Sequence, residues 1–201
     1  MLLHEKLRPY RLILASQSPR RRELLAGCDL DYRIADPYPC EEVYPADMPA
    51  HEVPVYLSGL KSRCFPRPLA DREILITADT VVIAGGRILG KPADRDHARR
   101  MLRTLSAATH TVVTGVTLRT PAACRQFSCE SRVTFRALAD EEIDYYLDRY
   151  RPYDKAGAYG IQEWIGYVAI ESLEGSFYNV MGLPVQRLCV ELGRLVEAAE
   201  R

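Results

Sequence analysis

The residues of this sequence best suited to chemistry begin with Ser16-Gln17-Ser18-Pro19-Arg20-Arg21, which follows a short apolar run and opens an expected helix. Free N–H groups at a helix start attract anions, hydroxyls add donors, and guanidinium forks match phosphate oxygens in pairs. A polyphosphate fits such a segment, although the same residues also describe a capped helix with a solvated Arg20-Arg21-Arg22 run. It is not a P-loop, because the glycines and the Gly-Lys-Ser/Thr ending are missing. Asp79, in Ala78-Asp79-Thr80, lies within or beside an otherwise apolar strand. A buried unpaired charge is costly, so this carboxylate needs a metal, a basic partner or a role as proton acceptor. Glu41 and Glu42 can add a metal ligand, since magnesium takes one or two carboxylates plus substrate phosphates. Lys61 and Lys91 are compact charges able to neutralise a triphosphate oxygen. Gln162 offers both a donor and an acceptor to a base edge. Taken singly, Glu41, Glu42, Lys61 and Lys91 are more often solvated surface charges, and structural burial with a salt-bridge partner is the alternative for Asp79.

The elements around these residues must position them. Arg11-Leu12-Ile13-Leu14-Ala15 suits a buried strand, and Ser18 is an N-cap with Pro19 at the first helical position, predicting a helix over Pro19–Ala26. Gly27 supplies its left-handed stop. A short strand over Tyr32–Ala35 precedes a loop, Asp36–Pro49, in which Pro37, Pro39, Pro45 and Pro49 rule out a packed element. Val55, Leu57, Leu60 and Cys64 recur near helical spacing with Pro54 in the first turn, which places Lys61 in the second or third turn. Ile74–Thr77 and Thr80–Ala84 read as strand, and Gly85-Gly86 as the hairpin turn into Arg87-Ile88-Leu89. Asp94 caps a helix whose Ala98, Met101, Leu102 and Leu105 form one stripe, and a strand over Thr109–Thr120 follows. A strand over Arg125–Phe135 pairs with it as a hairpin, and Ile143, Tyr146 and Leu147 mark a helix over Asp140–Tyr150. After the glycine-punctuated loop Asp154–Gly160 come a strand over Tyr167–Glu171, a loop over Glu174–Leu183 and a closing helix from Pro184 to about Ala199. Strands and helices alternate early while hairpins dominate the middle. The expected class is therefore α/β, a mixed sheet flanked by helices.

Composition narrows the function. At 201 residues one domain is the default, and it can be two-lobed. The 27 Lys and Arg balance the 27 Asp and Glu, so no whole-molecule field favours nucleic acid or a membrane, and anion binding must be local. No stacking platform for single-stranded nucleic acid is evident. The N-terminal residues lack the apolar region of a signal peptide, and no stretch approaches the roughly 18 apolar residues of a membrane span, so a cytoplasmic location is expected. Cys28, Cys40, Cys64, Cys124, Cys129 and Cys189 form no Cys-x-x-Cys pair and no zinc spacing. Reduced structural thiols are expected.

In this order, these segments resemble the Maf family of nucleotide pyrophosphatases, also described as septum-formation inhibitor proteins. The resemblance covers nearly the whole chain as a single Maf-like domain, 1–201. It rests on Leu14-Ala15-Ser16-Gln17-Ser18-Pro19-Arg20-Arg21, Ala78-Asp79-Thr80-Val81-Val82, Leu89-Gly90-Lys91-Pro92, the run from Asp154 to Gln162, and Asn179-Val180-Met181-Gly182-Leu183-Pro184. It implies an elongated, Maf/ITPase-like mixed sheet with two lobes around a cleft. It also implies cleavage of a nucleoside triphosphate between its α and β phosphates with a divalent cation, Mg²⁺ or Mn²⁺, giving the monophosphate and pyrophosphate. The form of the segment from Asp154 to Gln162 resembles the branch acting on dTTP and UTP, with modified pyrimidine nucleotides as further substrates in the house-cleaning of nucleotide pools. By position, Asp79 matches the family's proton acceptor, and Arg20, Thr80 and Gln162 match its specificity positions. Ser16, Arg21, Glu42, Lys61 and Lys91 match polar positions of the cleft, with Glu42 chosen over Glu41 by a Glu-x-Tyr-Pro alignment. On this reading Glu42 and Asp79 hold the metal, Arg20, Arg21, Lys61 and Lys91 stabilise the leaving pyrophosphate, and Arg22 is a solvated helix residue. The partner is a small-molecule nucleotide, and a homodimer is a family-level expectation. Ala107 stands where the family usually has glycine, so the turn after that helix is expected to differ locally. The alternative is a non-enzymatic, nucleotide-sensing regulator of cell division.

Overall fold

The computed structural model describes residues 1–199. In chain order its elements are α1 (Leu3–Leu7), β1 (Arg11–Leu14), α2 (Pro19–Ala26), β2 (Tyr32–Ile34), α3 (Val53–Arg63), β3 (Glu73–Ala84), β4 (Arg87–Leu89), α4 (Arg95–Leu105), β5 (Thr109–Arg119), β6 (Cys124–Phe135), α5 (Asp140–Tyr150), α6 (Trp164–Ala169), β7 (Ile170–Glu174), α7 (Phe177–Met181) and α8 (Val185–Ala199). A single 3₁₀ turn, Ala156–Ala158, precedes α6. The sheet order is β2-β1-β3-β5-β6-β7, with β4 paired to β3. β1 runs parallel to β2 and β3, whereas β4 and β7 run antiparallel to β3 and β6, so the sheet is mixed as expected. Leu12, Leu14, Ile74, Leu75 and Ile76 are buried, as parallel strands covered on both faces require.

Two compact units share these elements: Met1–Asp79, Thr114–Cys129 and the chain from Gly182 on make one, and Thr80–Val113 with Glu130–Met181 the other. β3, β5 and β6 each pass from one to the other. In the first unit, α3 is laid on the strands by small residues. A Cβ on Gly115 of β5 would lie 2.3 Å from the Pro54 carbonyl carbon, so only glycine admits the first turn of α3. Ser58 shares a hydrogen bond with Thr117 at 2.8 Å, and Thr77 donates to the Ser58 carbonyl at 2.8 Å. The buried face of α3 is Val53, Pro54, Leu57, Ser58, Gly59 and Ser62, while Val55, Leu60 and Cys64 are only half-buried. Hydrophobic periodicity finds this helix but not the face it buries, because that face is built partly on serine and glycine. In α8, Glu191 is buried among Arg125, Arg187 and Arg194, each 2.8 Å away. Burial alone would raise its pKa, but the three guanidiniums outweigh that and hold it below the usual carboxylate range.

In the second unit, α4 and α5 pack together, burying Ala98, Met101, Leu102 and Leu105 of the first and Ile143, Tyr146 and Leu147 of the second. Their outer faces carry Arg95, Arg99 and Arg103 opposite Asp148, Asp144 and Asp140. Ala107, after α4, has φ 55, the left-handed conformation natural to glycine, so this alanine is strained.

Several local expectations are corrected. Gly27 is right-handed (φ −66) because its N–H still bonds the Glu23 carbonyl, and the chain turns left-handed at Asp29 (φ 54), a residue type that tolerates it. Ser18 holds the N-cap position without a side-chain cap bond, and its N–H instead donates to Ser16 Oγ at 3.2 Å. The strand expected over Tyr167–Glu171 begins only at Ile170, because Trp164–Ala169 is helical. Gly166 donates to the Glu163 carbonyl and lies so close to Ile161 that a Cβ would meet its oxygen at 1.7 Å. A short apolar run does not by itself separate helix from strand. The loop expected over Glu174–Leu183 contains α7, fixed where the Asn179 amide donates to the Val112 carbonyl at 3.1 Å and Ser131 Oγ at 3.0 Å. No helix among the described residues is long and apolar enough to cross a membrane.

Candidate active site

Asp79 sits inside β3, a strand that after Glu73 is otherwise built of apolar and β-branched residues, and its side chain is 13% exposed. Strand alternation puts Asp79 on the same face as Thr77, which bonds α3 at Ser58. Lys61 is three residues beyond Ser58 on the same side of that helix. Its Nζ consequently lies 2.6 Å from Asp79 Oδ1, and 2.9 Å from Glu42 Oε2. Glu42, half-exposed on the proline-rich loop, is the acid of the Glu41-Glu42 pair that reaches Lys61. Tyr38 ties this loop to α3, its hydroxyl donating to the Lys61 carbonyl at 2.9 Å and its ring standing edge-on to Phe65. Burial pushes the Tyr38 phenol up to about 12, so it remains a donor at neutral pH.

Arg21 approaches the same carboxylate from α2. Its Nε donates to the Gly182 carbonyl and its Nη1 to the Ala78 carbonyl, both at 2.8 Å, with Ser16 Oγ 3.4 Å from Nη1. Gly182, at φ 120, supplies that carbonyl from a backbone conformation that other residues rarely adopt. Burial lowers the Arg21 pKa, opposed by the charge of Asp79. Arg21 therefore fixes the backbone on the N-terminal side of Asp79 in addition to bringing charge. Arg20 is half-buried on the same helix. Arg22 is not simply solvated: it is half-buried, donates to Gln17 Oε1 at 2.9 Å, and its carbonyl accepts from Tyr32.

The structure thus brings Ser16, Arg21, Glu42, Lys61 and Asp79 together in the first unit, while Thr80, Lys91 and Gln162 belong to the second. Thr80 points to the face of β3 opposite Asp79. Lys91 is exposed in the segment between β4 and α4. The neighbouring Gly90 carbonyl accepts from the Gly157 N–H at 3.1 Å, which joins that segment to the loop bearing Gln162. Gly157 has φ 69, and a Cβ there would sit 3.0 Å from Val82. Gln162 is half-buried, and its Oε1 is buried without a hydrogen-bond partner.

Glu42 and Asp79 converge on one ammonium, so two carboxylates already surround a single cationic centre. That donor set fits Mg²⁺ or Mn²⁺, which complete their shells with phosphate oxygens and water. Sequence reasoning missed Tyr38 as a supporting residue. Tyr38 stands between two prolines in a loop with no period, so only its packing on Lys61 reveals it.

The family model described as Maf-like protein matches residues 11–195. The chain is 57% identical over 190 residues to a dTTP/UTP pyrophosphatase of Porphyromonas gingivalis, covering 94% of this chain and 96% of that one. It is 51% identical over 188 residues to a protein of the same description from Parabacteroides distasonis (94% and 97% covered). A third, from Flavobacterium johnsoniae, is 44% identical over 197 residues (97% and 100% covered). A solved nucleoside-triphosphatase/dITP/XTP pyrophosphatase from Mycobacterium abscessus aligns with 94% of this chain and 98% of its own at 13% identity and TM-score 0.42, a distance that carries no argument about chemistry.

Proposed function

The chain belongs to the Maf-like protein family, and from that premise we propose that it is a nucleoside triphosphate pyrophosphatase hydrolysing dTTP and UTP to the monophosphate and pyrophosphate. The observation that carries this reading is the Asp79 carboxylate, buried in β3 with Lys61 Nζ at 2.6 Å and Glu42 on the same ammonium. The physical problem is to bring water to an α-phosphorus ringed by repelling oxygens, which is solved mainly by positioning and charge neutralisation.

Asp79 accepts the proton of the attacking water, and Arg21 holds the strand that presents it. Lys61 orients both carboxylates, and with Lys91 and Arg20 it supplies positive charge to the leaving pyrophosphate. Ser16 adds a hydroxyl beside Arg21, and Thr80 and Gln162 contact the sugar or base. Glu42 and Asp79 would hold Mg²⁺ or Mn²⁺, which when bound neutralises phosphate oxygens and acidifies water. The chain acts as one Maf-like domain, 1–201, on small-molecule nucleotides, in the cytoplasm where those pools lie.

The test is turnover of the pure protein with a panel of triphosphates, scored for pyrophosphate with and without divalent cation. Pyrophosphate in equal amount to monophosphate, fastest from dTTP or UTP and dependent on metal, is expected. Nucleotide binding without turnover would make the protein a sensor, and release of orthophosphate would make it a different phosphatase.

A further inference from the structure

The second unit holds another cluster of buried ionisable side chains, between α5 and the start of α6. Tyr146, fully buried, accepts from the Gly160 N–H at 3.0 Å and donates to Glu163 Oε2 in a short hydrogen bond. Burial and the Glu163 carboxylate both push its phenol far above the usual tyrosine value, so it stays a donor. The other Glu163 oxygen faces Lys155 Nζ at 3.1 Å, and Lys155, its side chain 10% exposed, also bonds Asp154 Oδ1 at 2.7 Å. Lys155 opens the loop and Glu163 ends it, so their pair closes the loop on itself. Within it, Gly157 and Ala158 are both left-handed, at φ 69 and φ 59, a strain that the clamp must hold in the alanine.

Gln162 immediately precedes Glu163. A Cβ on Gly160 would lie 3.1 Å from both Gln162 Nε2 and Glu163 Oε2, so the amide's amino end and the carboxylate fold over the same bare α-carbon. A carboxylate only accepts, and it repels the oxygen end of an amide turned toward it. The amide is thereby set with its amino end on the Glu163 side and its Oε1 buried and unsatisfied. Leaving an acceptor in that state is unfavourable unless a water or a ligand supplies the missing donor.

We propose that Glu163, locked by Tyr146 and Lys155, is a positioning residue that fixes the Gln162 amide so that its free acceptor receives an N–H from the substrate base. That selects the imide edge of thymine and uracil, with an N–H between two carbonyls. Cytosine presents a bare nitrogen acceptor at the same place. The inference rests on Gln162 as the base reader under the proposed function.

The experiment measures kcat/KM for dTTP and dCTP in wild type, Glu163→Gln, Tyr146→Phe and Gln162→Ala, with Tm for each. It also measures the affinities of dTMP and dCMP from the fluorescence of Trp164, the chain's single tryptophan and the residue next to Glu163. Glu163→Gln keeps the size of the side chain but removes the fixed charge, so the Gln162 amide can turn. The thymine preference should fall about tenfold in Glu163→Gln, the scale of one hydrogen bond to a buried group, with Tm lowered as the Lys155 pair is lost. Tyr146→Phe should move it the same way. An unchanged preference in both variants, while Gln162→Ala abolishes it, overturns the positioning role alone. If Gln162→Ala also leaves the preference intact, the base-reading role falls and this inference with it. If wild type releases no pyrophosphate, the proposed reaction fails, and the dTMP to dCMP affinity ratio still decides the positioning role in the same way.

Discussion

Two charged regions of the molecule are built on opposite plans. On α4 and α5, arginines and aspartates recur every four residues, and each guanidinium meets a carboxylate: Arg95 with Asp148, Arg99 with Asp144, Arg103 with Asp140. Those side chains are between 25% and 65% exposed, more than Lys61 and Asp79, and pairs so open to solvent are weak and readily screened. At the Lys61 hub one withdrawn ammonium holds two carboxylates from a strand and a loop, with a buried-side guanidinium behind them. The ladder is balanced and complete as it stands. The hub has one lysine between two acids, so an incoming cation can take over the carboxylates while an incoming phosphate draws the ammonium. Burial and the convergence of two acids on one ammonium, more than the number of charges, distinguish the region suited to chemistry.

Asp79→Asn tests that distinction most severely. The change preserves size and leaves an amide oxygen for Lys61, so Tm should hold while turnover of dTTP falls by about 10² or more, the range of general-base loss. Turnover close to wild type would remove Asp79 from the reaction. Lys61→Gln should act on two quantities in opposite directions. Losing a hydrogen bond between charged groups should lower kcat/KM by roughly 10-fold or more. The carboxylates freed from their ammonium should bind Mn²⁺ more tightly, which titration calorimetry reads without turnover. If Mn²⁺ binding is unchanged or weaker, Glu42 and Asp79 are not the metal's ligands.

How much of this was legible in the sequence follows the same division. The mixed sheet, the strand carrying Asp79 and the helices over Pro19–Ala26 and Asp140–Tyr150 were readable, because apolar period and proline position act locally. That Lys61 meets Asp79 was not readable from spacing. It depends on Gly115, Ser58 and Gly59 letting α3 approach the strands, and small residues leave no hydrophobic signature. Arg21 lies in a matching motif, but its hold on the Ala78 and Gly182 carbonyls shows a positioning task that a motif does not encode. The errors at Tyr167–Glu171 and Glu174–Leu183 have the same origin. There, short helices are fixed by tertiary hydrogen bonds instead of by their own periodicity.

The ladder's own unit can be strengthened without touching the hub. Ala107 follows the last turn of α4 at φ 55, where an L side chain is strained. Ala107→Gly removes the strain but adds freedom to the unfolded chain, leaving a net gain of up to about 1 kcal/mol. A Tm raised by a few degrees with unchanged kcat/KM is the expected result, and a lower Tm would show that the methyl group packs favourably enough to outweigh its backbone.

The smallest effect should come from the ladder itself. Arg99 bonds Asp144 and lies 3.3 Å from Asp140, yet it is one rung among several exposed pairs. Arg99→Gln should lower Tm slightly at low salt, and the deficit should vanish near about 1 M salt, where screening acts within a few ångströms. Turnover should not change. The pH dependence has a definite sign. Hydrogen bonds from Arg103, Arg99 and Arg95 hold Asp140, Asp144 and Asp148 below the ordinary aspartate value of 3.8. Their stabilisation is therefore complete above that value and is lost as pH falls through their lower folded values. The Tm difference between wild type and Arg99→Gln should stay constant from pH 7 down to about 4 and shrink only in stronger acid. A difference that grows in acid, or a change in turnover at neutral pH, would mean that the ladder is tied to the hub and that the two plans are one.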